Sequence, residues 1–500
     1  MTEKSIIIIG GGLAGLSTGC YAQMNGYSTR IFEMQNKPGG VCVSWTRKGY
    51  TFDYAVHNVF GLSTQSVNSL YGRLWRELGV ASGMNVYSFE EFVQVEDSNG
   101  KIFTVYSDVD KLENHLMVLA PADKKLIAEF TQTIRKFCGH DVFGAMFGGI
   151  GSKLKMLPLL GSLMKFGKIS LKEYSERFSD PFLRKAFSTI QYDIEEVPVI
   201  VPIIFLSMLN VGDAGWPMGG SGVLSRSIER RYVNLGGETR YNSRVEKVIV
   251  EDGGAKGVQL EDGSEHFADV VISAADGYST IFGMLDGKYT TENIHSYYKS
   301  YPQMQPFGLE IWYGVNMAFS SEPHALVLFL DQPVNVEGRE IDRLDVEIMS
   351  FDSFLAPSGK GVVKVNFKSE YEFWKKLSAD QKKYRSQKQQ ITDLVAKRLE
   401  SRFPGFLEQI EAADVVTPVS VEHWTGGYRG FAQPWPPPRE LAEEINKNGV
   451  SKTLPGLQNF YMVGQWAGGT FGISTVCLMA RNLVQELCKK DNKRFVASTP

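Results

Sequence analysis

Four consecutive isoleucines, Ile6-Ile7-Ile8-Ile9, stand between a polar start and a run of glycines. An unbroken apolar run of this kind predicts a strand over residues 5–9, buried on both faces as in a parallel sheet. Residues 13–25 predict a helix, and residues 28–33 a second short strand, so the chain opens as a βαβ unit. A second organised block starts near residue 215. It predicts a helix over 222–234, followed by Gly236-Gly237. Strands over 244–251 and 257–260 follow, broken at Asp252-Gly253-Gly254, with a further hairpin signal at Asp262-Gly263. An apolar strand over 269–273 ends at Ala274-Ala275-Asp276. A third block predicts a strand over 459–463 and a helix over 472–488. Lys489-Lys490 then suits the negative end of that helix.

These blocks read as one α/β, Rossmann-like nucleotide-binding domain made of residues 1–75, 215–299 and 454–490. Residues 76–214 and 300–453 read as insertions that build an α+β substrate domain. Within the second insertion, residues 382–403 predict a charged amphipathic helix, and Pro434-Trp435-Pro436-Pro437-Pro438 a rigid loop. No internal repeat is visible.

Composition narrows the class. Five hundred residues with 43% hydrophobic content suffice for two or three domains. A net charge of -3 argues against a general nucleic-acid binder. Cys20, Cys42, Cys138, Cys477 and Cys488 form no CxxC pair, which leaves neither a zinc pattern nor a disulfide framework. It also counts against a dithiol-disulfide reductase. A reducing compartment is the plain reading, and the expected location is cytoplasmic. The apolar run at 6–9 is too short for a signal-peptide core, and no stretch of 18 uncharged apolar residues appears.

Candidate chemistry begins at Gly10-Gly11-Gly12-Leu13-Ala14-Gly15. Gly10 permits the tight turn, Gly12 lets the backbone approach a pyrophosphate, and Gly15 lets the helix pack close to the strand. The helix N-terminus supplies positive potential. Glu33 closes the second strand, where a carboxylate accepts hydrogen bonds from a ribose. Met34 beside it and Val41 after Lys37-Pro38-Gly39-Gly40 extend the cofactor-facing set, with Gly39 and Gly40 passing over the pyrophosphate and flavin. His57 follows in Tyr50-Thr51-Phe52-Asp53-Tyr54-Ala55-Val56-His57. It is read either as a residue facing the flavin or as a packing residue. Val463-Gly464-Gln465-Trp466-Ala467-Gly468-Gly469-Thr470-Phe471-Gly472-Ile473 gives a second glycine turn leading into a helix. Backbone N–H groups and a helix dipole there suit the flavin C2 carbonyl, where negative charge collects on reduction.

In their order these segments resemble the FAD-dependent phytoene desaturase-like oxidoreductases, the group of carotenoid desaturases, carotenoid isomerases and retinol saturases. Trp216-Pro217-Met218-Gly219-Gly220, Arg402-Phe403-Pro404-Gly405, Thr417-Pro418 and Tyr428-Arg429-Gly430 fit the same pattern. The resemblance spans nearly the whole chain. It implies FAD as cofactor, with a substrate domain over the isoalloxazine ring. Glu33 would take the adenosine ribose, and Val245 or Val248 the adenine through the backbone. Gly464, Gln465, Gly468, Gly469, Gly472 and Ile473 would lie along the flavin and its ribityl chain. With one GxGxxG, electrons would pass to or from a diffusing partner: oxygen, a quinone or a reduced carrier.

Residues 142–171 carry many Phe, Met, Leu, Ile and Gly. Their charges are Lys153, Lys155, Lys165 and Lys168. Such a segment suits peripheral docking on an anionic membrane, and equally a pair of core helices with snorkelling lysines. The expected reaction is hydride exchange between flavin N5 and an allylic carbon of an apolar, carotenoid- or isoprenoid-like substrate. Desaturation, saturation and isomerisation all need that pose. His57, Glu310, Tyr428 and Arg429 are the candidate acid or base residues. Two alternatives share the fold: a flavin amine oxidase, and a non-catalytic escort protein that binds prenyl groups.

Overall fold

A computed structural model of the chain describes residues 4–63, 69–80, 84–147, 154–191, 194, 196–300, 302, 304–434, 450–467 and 472–500. The isoleucine run forms the strand Ser5–Ile9 at the centre of a five-stranded parallel sheet. Ser28–Phe32 and then Glu238–Arg240 lie on one side, and Val270–Ser273 and then Phe460–Met462 on the other. Three separate stretches of sequence therefore meet in one sheet. Ile6 to Ile9 are all buried because both faces are covered. Leu13–Met24 packs against Ile473–Lys490 and Gly220–Asn234. The predicted elements are present with ends shifted by a few residues, as in Val245–Glu251 and Gly254–Leu260.

The inserted segments hold a second sheet of seven strands. Its order is Ile410–Val416, Met304–Val315, Gly361–Glu370, Arg339–Ile348, Ala325–Val336, Glu91–Glu96 and Ile102–Tyr106. The register sets Glu310 opposite Asn366, Trp312 opposite Lys364, and Glu347 opposite Lys364. Side chains alternate across a strand, so these residues share one face. The other face presents Leu309, Ile311, Val346, Val363 and Val365 to the helix Gln381–Arg402, which contributes Val395 and Leu399. That helix is the charged amphipathic one read from the sequence. A helical lobe built from Val109–Leu119, Lys124–Phe137, Pro181–Ser188 and Ile200–Asn210 has its own apolar core. Among the described residues no helix is long and apolar enough to cross a membrane. Of the proline-rich loop, residues 435–438 lie outside the described residues.

Leu309 is fully buried on the helix-facing side of the second sheet. Leu309→Ala is expected to cost about 2–5 kcal/mol through lost burial and the cavity left behind. A lower urea midpoint for loss of circular dichroism, with native flavin absorbance kept in buffer, is the readout.

Candidate functional site

The turn after the first strand is fixed by backbone alone. Gly10 sits at φ 98°, in the left-handed region that glycine adopts without strain. Its N–H donates to the Phe32 carbonyl at 2.8 Å. A methyl group on Gly15 would drive into the Gly10 carbonyl oxygen, so the helix can approach its own strand only with glycine there. Gly12 caps the helix Leu13–Met24 with no side-chain hydrogen bond, so the first-turn N–H groups point outward without a side-chain acceptor. The Gly39 N–H donates to the Gly11 carbonyl at 2.9 Å, drawing the loop at Gly39 and Gly40 over the turn.

Glu33 is buried, and burial raises its carboxyl despite hydrogen bonds that oppose the shift. The Gly11 N–H donates to one oxygen at 2.6 Å and the Gln35 N–H to the other at 2.7 Å. Each carboxylate oxygen accepts more than one hydrogen bond, so acceptor capacity remains for a diol. Gly426 brings the later loop close to Met34. Beyond it opens a groove of about 840 Å³ lined by Arg244, Val245, Tyr278, Gly427 and Tyr428. Val245 lines that groove, whereas Val248 lies in the core against Val258.

The C-terminal turn closes on the same place. The Val463 N–H donates to the Ser273 carbonyl at 2.9 Å. Gly464, at φ 103°, sets its backbone against Ala14 of the first helix. The Gln465 amide donates to the Ala432 carbonyl at 2.7 Å. Gly472 is the cap of Ile473–Lys490, again with no side-chain hydrogen bond. Two glycine-capped helices thus serve one site. Gly468 and Gly469 lie outside the described residues.

Behind this cradle the polar face of the seven-stranded sheet meets the segment around Asp53 and His57. The His57 Nδ1 lies 3.0 Å from Glu347. The Lys364 ammonium donates to Glu347 at 2.8 Å with 1% of its side chain exposed. Asn366 donates to the same carboxylate at 2.8 Å. The Lys364 ammonium also lies 5.3 Å from the Trp312 ring centroid, and the Trp312 N–H donates to Glu310 at 3.1 Å. Burial alone would raise Glu347, but His57 and Lys364 overcome it and hold the carboxyl well below the usual range. Burial also opposes the Lys364 charge, yet Glu347 and Glu310 hold its pKa above the ordinary value. Glu310 goes the other way. Burial, reinforced by the charges of Glu347 and Asp53, pushes it up to about 8. Asp53 is pushed up to about 6 by burial, against hydrogen bonds from the Ser221 hydroxyl and N–H.

Two of the four candidate acid or base residues, His57 and Glu310, therefore join one network, which is buried at Glu310, Glu347 and Lys364 and reaches the surface at His57, 45% exposed. The other two lie elsewhere. Tyr428 stacks on Tyr278 at 3.8 Å beside the Val245 groove. Arg429 pairs with Glu372 at 2.6 Å and lies over Tyr371. Lys364 and Glu347 are members that sequence reasoning missed. The available signal was a lone lysine inside Gly361-Val362-Val363-Lys364-Val365.

A glycine turn open to a pyrophosphate, a buried carboxylate with spare acceptor capacity and a second glycine-capped helix define a dinucleotide-binding flavoprotein. The donor set fits FAD: Gly10 to Gly15 and Gly39–Gly40 would hold the pyrophosphate, Glu33 the ribose, and the backbone at Gly464 and Gly472 the flavin end. The chain belongs to the flavin containing amine oxidoreductase family, which it matches over residues 13–284. It is 25% identical over 461 residues to the chloroplastic prolycopene isomerase of Daucus carota, covering 87% of this chain and 72% of that one. It is 23% identical over 480 residues to the lycopene-forming phytoene desaturase of Pantoea ananas, covering 92% and 94%. An oxidoreductase from Methanosarcina mazei matches in structure with a TM-score of 0.60 and 18% identity, covering 96% of this chain and all 100% of the other. The protein is an FAD-dependent oxidoreductase, and the resemblance read from its sequence is borne out. Family membership also sets aside the non-catalytic escort alternative.

Glu33→Ala removes the buried carboxylate and is expected to weaken FAD binding about tenfold or more, measured by fluorescence titration of the cofactor into apoprotein. A second expectation concerns Glu310. The folded carboxyl keeps its proton up to about pH 8, whereas the free group loses it near 4.5. Between those values the folded chain holds the extra proton, so rising pH erodes stability through that window and not below it. Glu310→Gln carries no such proton. Its melting temperature should exceed the parent's by a margin that widens from pH 5 to pH 8, reaching about 4 °C or more.

Proposed function

We propose that the protein exchanges a hydride between FAD and an unsaturated carbon of an apolar, polyene- or isoprenoid-like substrate. The observation that carries this reading is the wall running from His57 to the first turn of the C-terminal helix. The strand Val59–Phe60 begins two residues after His57. The Phe60 ring packs 4.6 Å from Phe205 and 6.3 Å from Phe143. The Ser474 hydroxyl donates to the Phe60 carbonyl at 2.8 Å, tying this wall to the helix capped by Gly472. Phe205 lies on Ile200–Asn210, whose eleven residues include no charged side chain. Phe60, Phe143 and Phe205 are only partly buried, and such apolar surface would suit a long apolar substrate better than a charged amine. Trp45, Trp312 and Trp424 pack on one another, with centroids 5.7 and 5.2 Å apart, which disfavours an open aromatic box for an ammonium. The similarity to a prolycopene isomerase and a phytoene desaturase supports the same substrate class.

When bound, FAD supplies hydride exchange at its N5. The chain's own residues deal with protons and water. Glu310, protonated near neutral pH, is the acid that gives up or retakes a proton beside the reacting carbon. Lys364 and Glu347 fix the charge around it, and His57 extends that pair to the exposed surface. Tyr428 and Arg429 belong with the adenosine end. Electrons pass to or from a diffusing partner of the oxygen, quinone or reduced-carrier type.

The test is anaerobic incubation of oxidised and of reduced holoenzyme with linear polyenes, followed by product mass analysis. Loss of two hydrogens, gain of two, or unchanged mass with altered retention identifies desaturation, saturation or isomerisation. Turnover in Glu310→Gln should fall about 10²-fold or more with FAD still bound. Polyenes that leave both flavin states and their own mass and retention unchanged, while primary amines bleach the flavin, would overturn the reading in favour of amine oxidation.

A further inference from the structure

Residues 142–171 contain four lysines and no acidic residue. In the described part of this segment the chain forms the short helices Val142–Phe147, Leu157–Leu159 and Leu160–Phe166. Their inward side is an ordinary core, with Val142, Leu159 and Phe166 buried. Their outward side is apolar as well. Met146, Leu154, Leu157, Leu160 and Met164 are 58, 59, 58, 45 and 67% exposed. These five are among thirteen large apolar side chains that stand exposed among the described residues, so they form a concentration rather than background. Helices that are apolar on both sides at a protein surface lack the polar face that water requires.

The charges near this face select the partner. Lys155, Lys165 and Lys168 are exposed around the apolar residues, and Lys136 reaches the segment through the Ser162 hydroxyl at 3.5 Å. Among the described residues Glu129 pairs with Lys165 at 2.9 Å. Leu154, Leu157 and Leu160 make up most of the apolar set, and Leu is under-represented among the residues that anchor specific protein interfaces. We infer that this face is a docking surface for an anionic lipid bilayer, with Leu157, Leu160 and Met164 entering the acyl boundary and the lysines meeting phosphate headgroups.

The face lies at the outer end of the wall described above. Met146 and Phe143 share one helix, and Phe143 stacks within 4.9 Å of Tyr71. The Tyr71 hydroxyl is 2.8 Å from the Thr475 hydroxyl in the first turn of the C-terminal helix. Docking there sets the bilayer against the apolar approach to the flavin end. That delivery role rests on the proposed apolar substrate; adsorption to lipid does not.

Co-sedimentation of the full-length holoprotein with sucrose-loaded vesicles separates the two. Vesicles of phosphatidylcholine with phosphatidylglycerol should pellet the protein, and pure phosphatidylcholine should pellet it about tenfold less well. The variant L157E/L160E/M164E should lose at least about tenfold in partition coefficient, with an unchanged flavin spectrum and melting curve. The variant K155E/K168E should lose the preference for the anionic lipid. Parent protein remaining in the supernatant with anionic vesicles would overturn the inference. So would a triple variant that binds like the parent. A parent that is dimeric by light scattering and a triple variant that is monomeric, with neither binding vesicles, would assign the face to a second copy of this chain. Each of those outcomes leaves the redox reading standing, because no substrate is present in the assay.

Discussion

The ammonium group of Lys364 lies almost wholly out of water, and the polar face of the seven-stranded sheet is arranged to keep it charged there. An isolated buried cation is strongly unfavourable. Lys364 is tolerated because Glu347 sits across the strand pair in register, Glu310 adds its field, and the Trp312 ring offers its electron-rich face. Glu347 in turn binds His57, which belongs to the segment between the glycine turn and the first insertion. The ion pair therefore connects the inserted sheet with the nucleotide-binding part through charge as well as packing. Loss of one partner from such a pair leaves an uncompensated charge, a penalty of ~3–5 kcal/mol. The His57–Glu347 contact is thus one of the ties between the second sheet and the segment that leads from the cradle.

The cradle imposes the opposite condition. Both helices that meet there are capped by glycine, with no side chain accepting their first N–H groups. Side-chain caps at such positions typically contribute about 1 kcal/mol each, and here that stabilisation is forgone in favour of an open end. An anion at these ends would supply the missing acceptors, which would link cofactor binding to folding. Gly15 and Gly464 belong to the same condition. The first allows helix and strand to approach, and the second lets the C-terminal turn rest on Ala14.

These two conditions differ in how they are written into the sequence. The glycine turn, the acid at residue 33 and the isoleucine strand are local patterns, and each is legible in the order of residues alone. The seven-stranded sheet is not. Met304–Val315, Arg339–Ile348 and Gly361–Glu370 carry Glu310, Glu347 and Lys364 in the middle of apolar stretches. A charge there normally marks an exposed position. In this fold the charged face is covered by a segment more than 200 residues away in sequence, and such a partnership is invisible to local periodicity. His57 and Glu310 are each identifiable as polar residues of interest, but their sharing one network depends on strand register. Tyr428 and Arg429 look equivalent to them in sequence and are separated by the fold.

Burial also explains why a carboxyl keeps its proton in this environment. Water is the medium in which a carboxyl ionises most readily, so a carboxyl that keeps its proton to about pH 8 needs surroundings from which water is largely excluded. The same exclusion strengthens local electrostatics and protects reactive carbon centres from hydrolysis. Trp312 and Tyr54 contribute apolar surface around Glu310 while Lys364 keeps the neighbouring charge balanced. The Lys364 charge pulls the Glu310 carboxyl down, while burial, Glu347 and Asp53 push it up. The ion pair thus sets the acidity of Glu310 within a range useful near neutrality, and the aromatic packing keeps that setting dry.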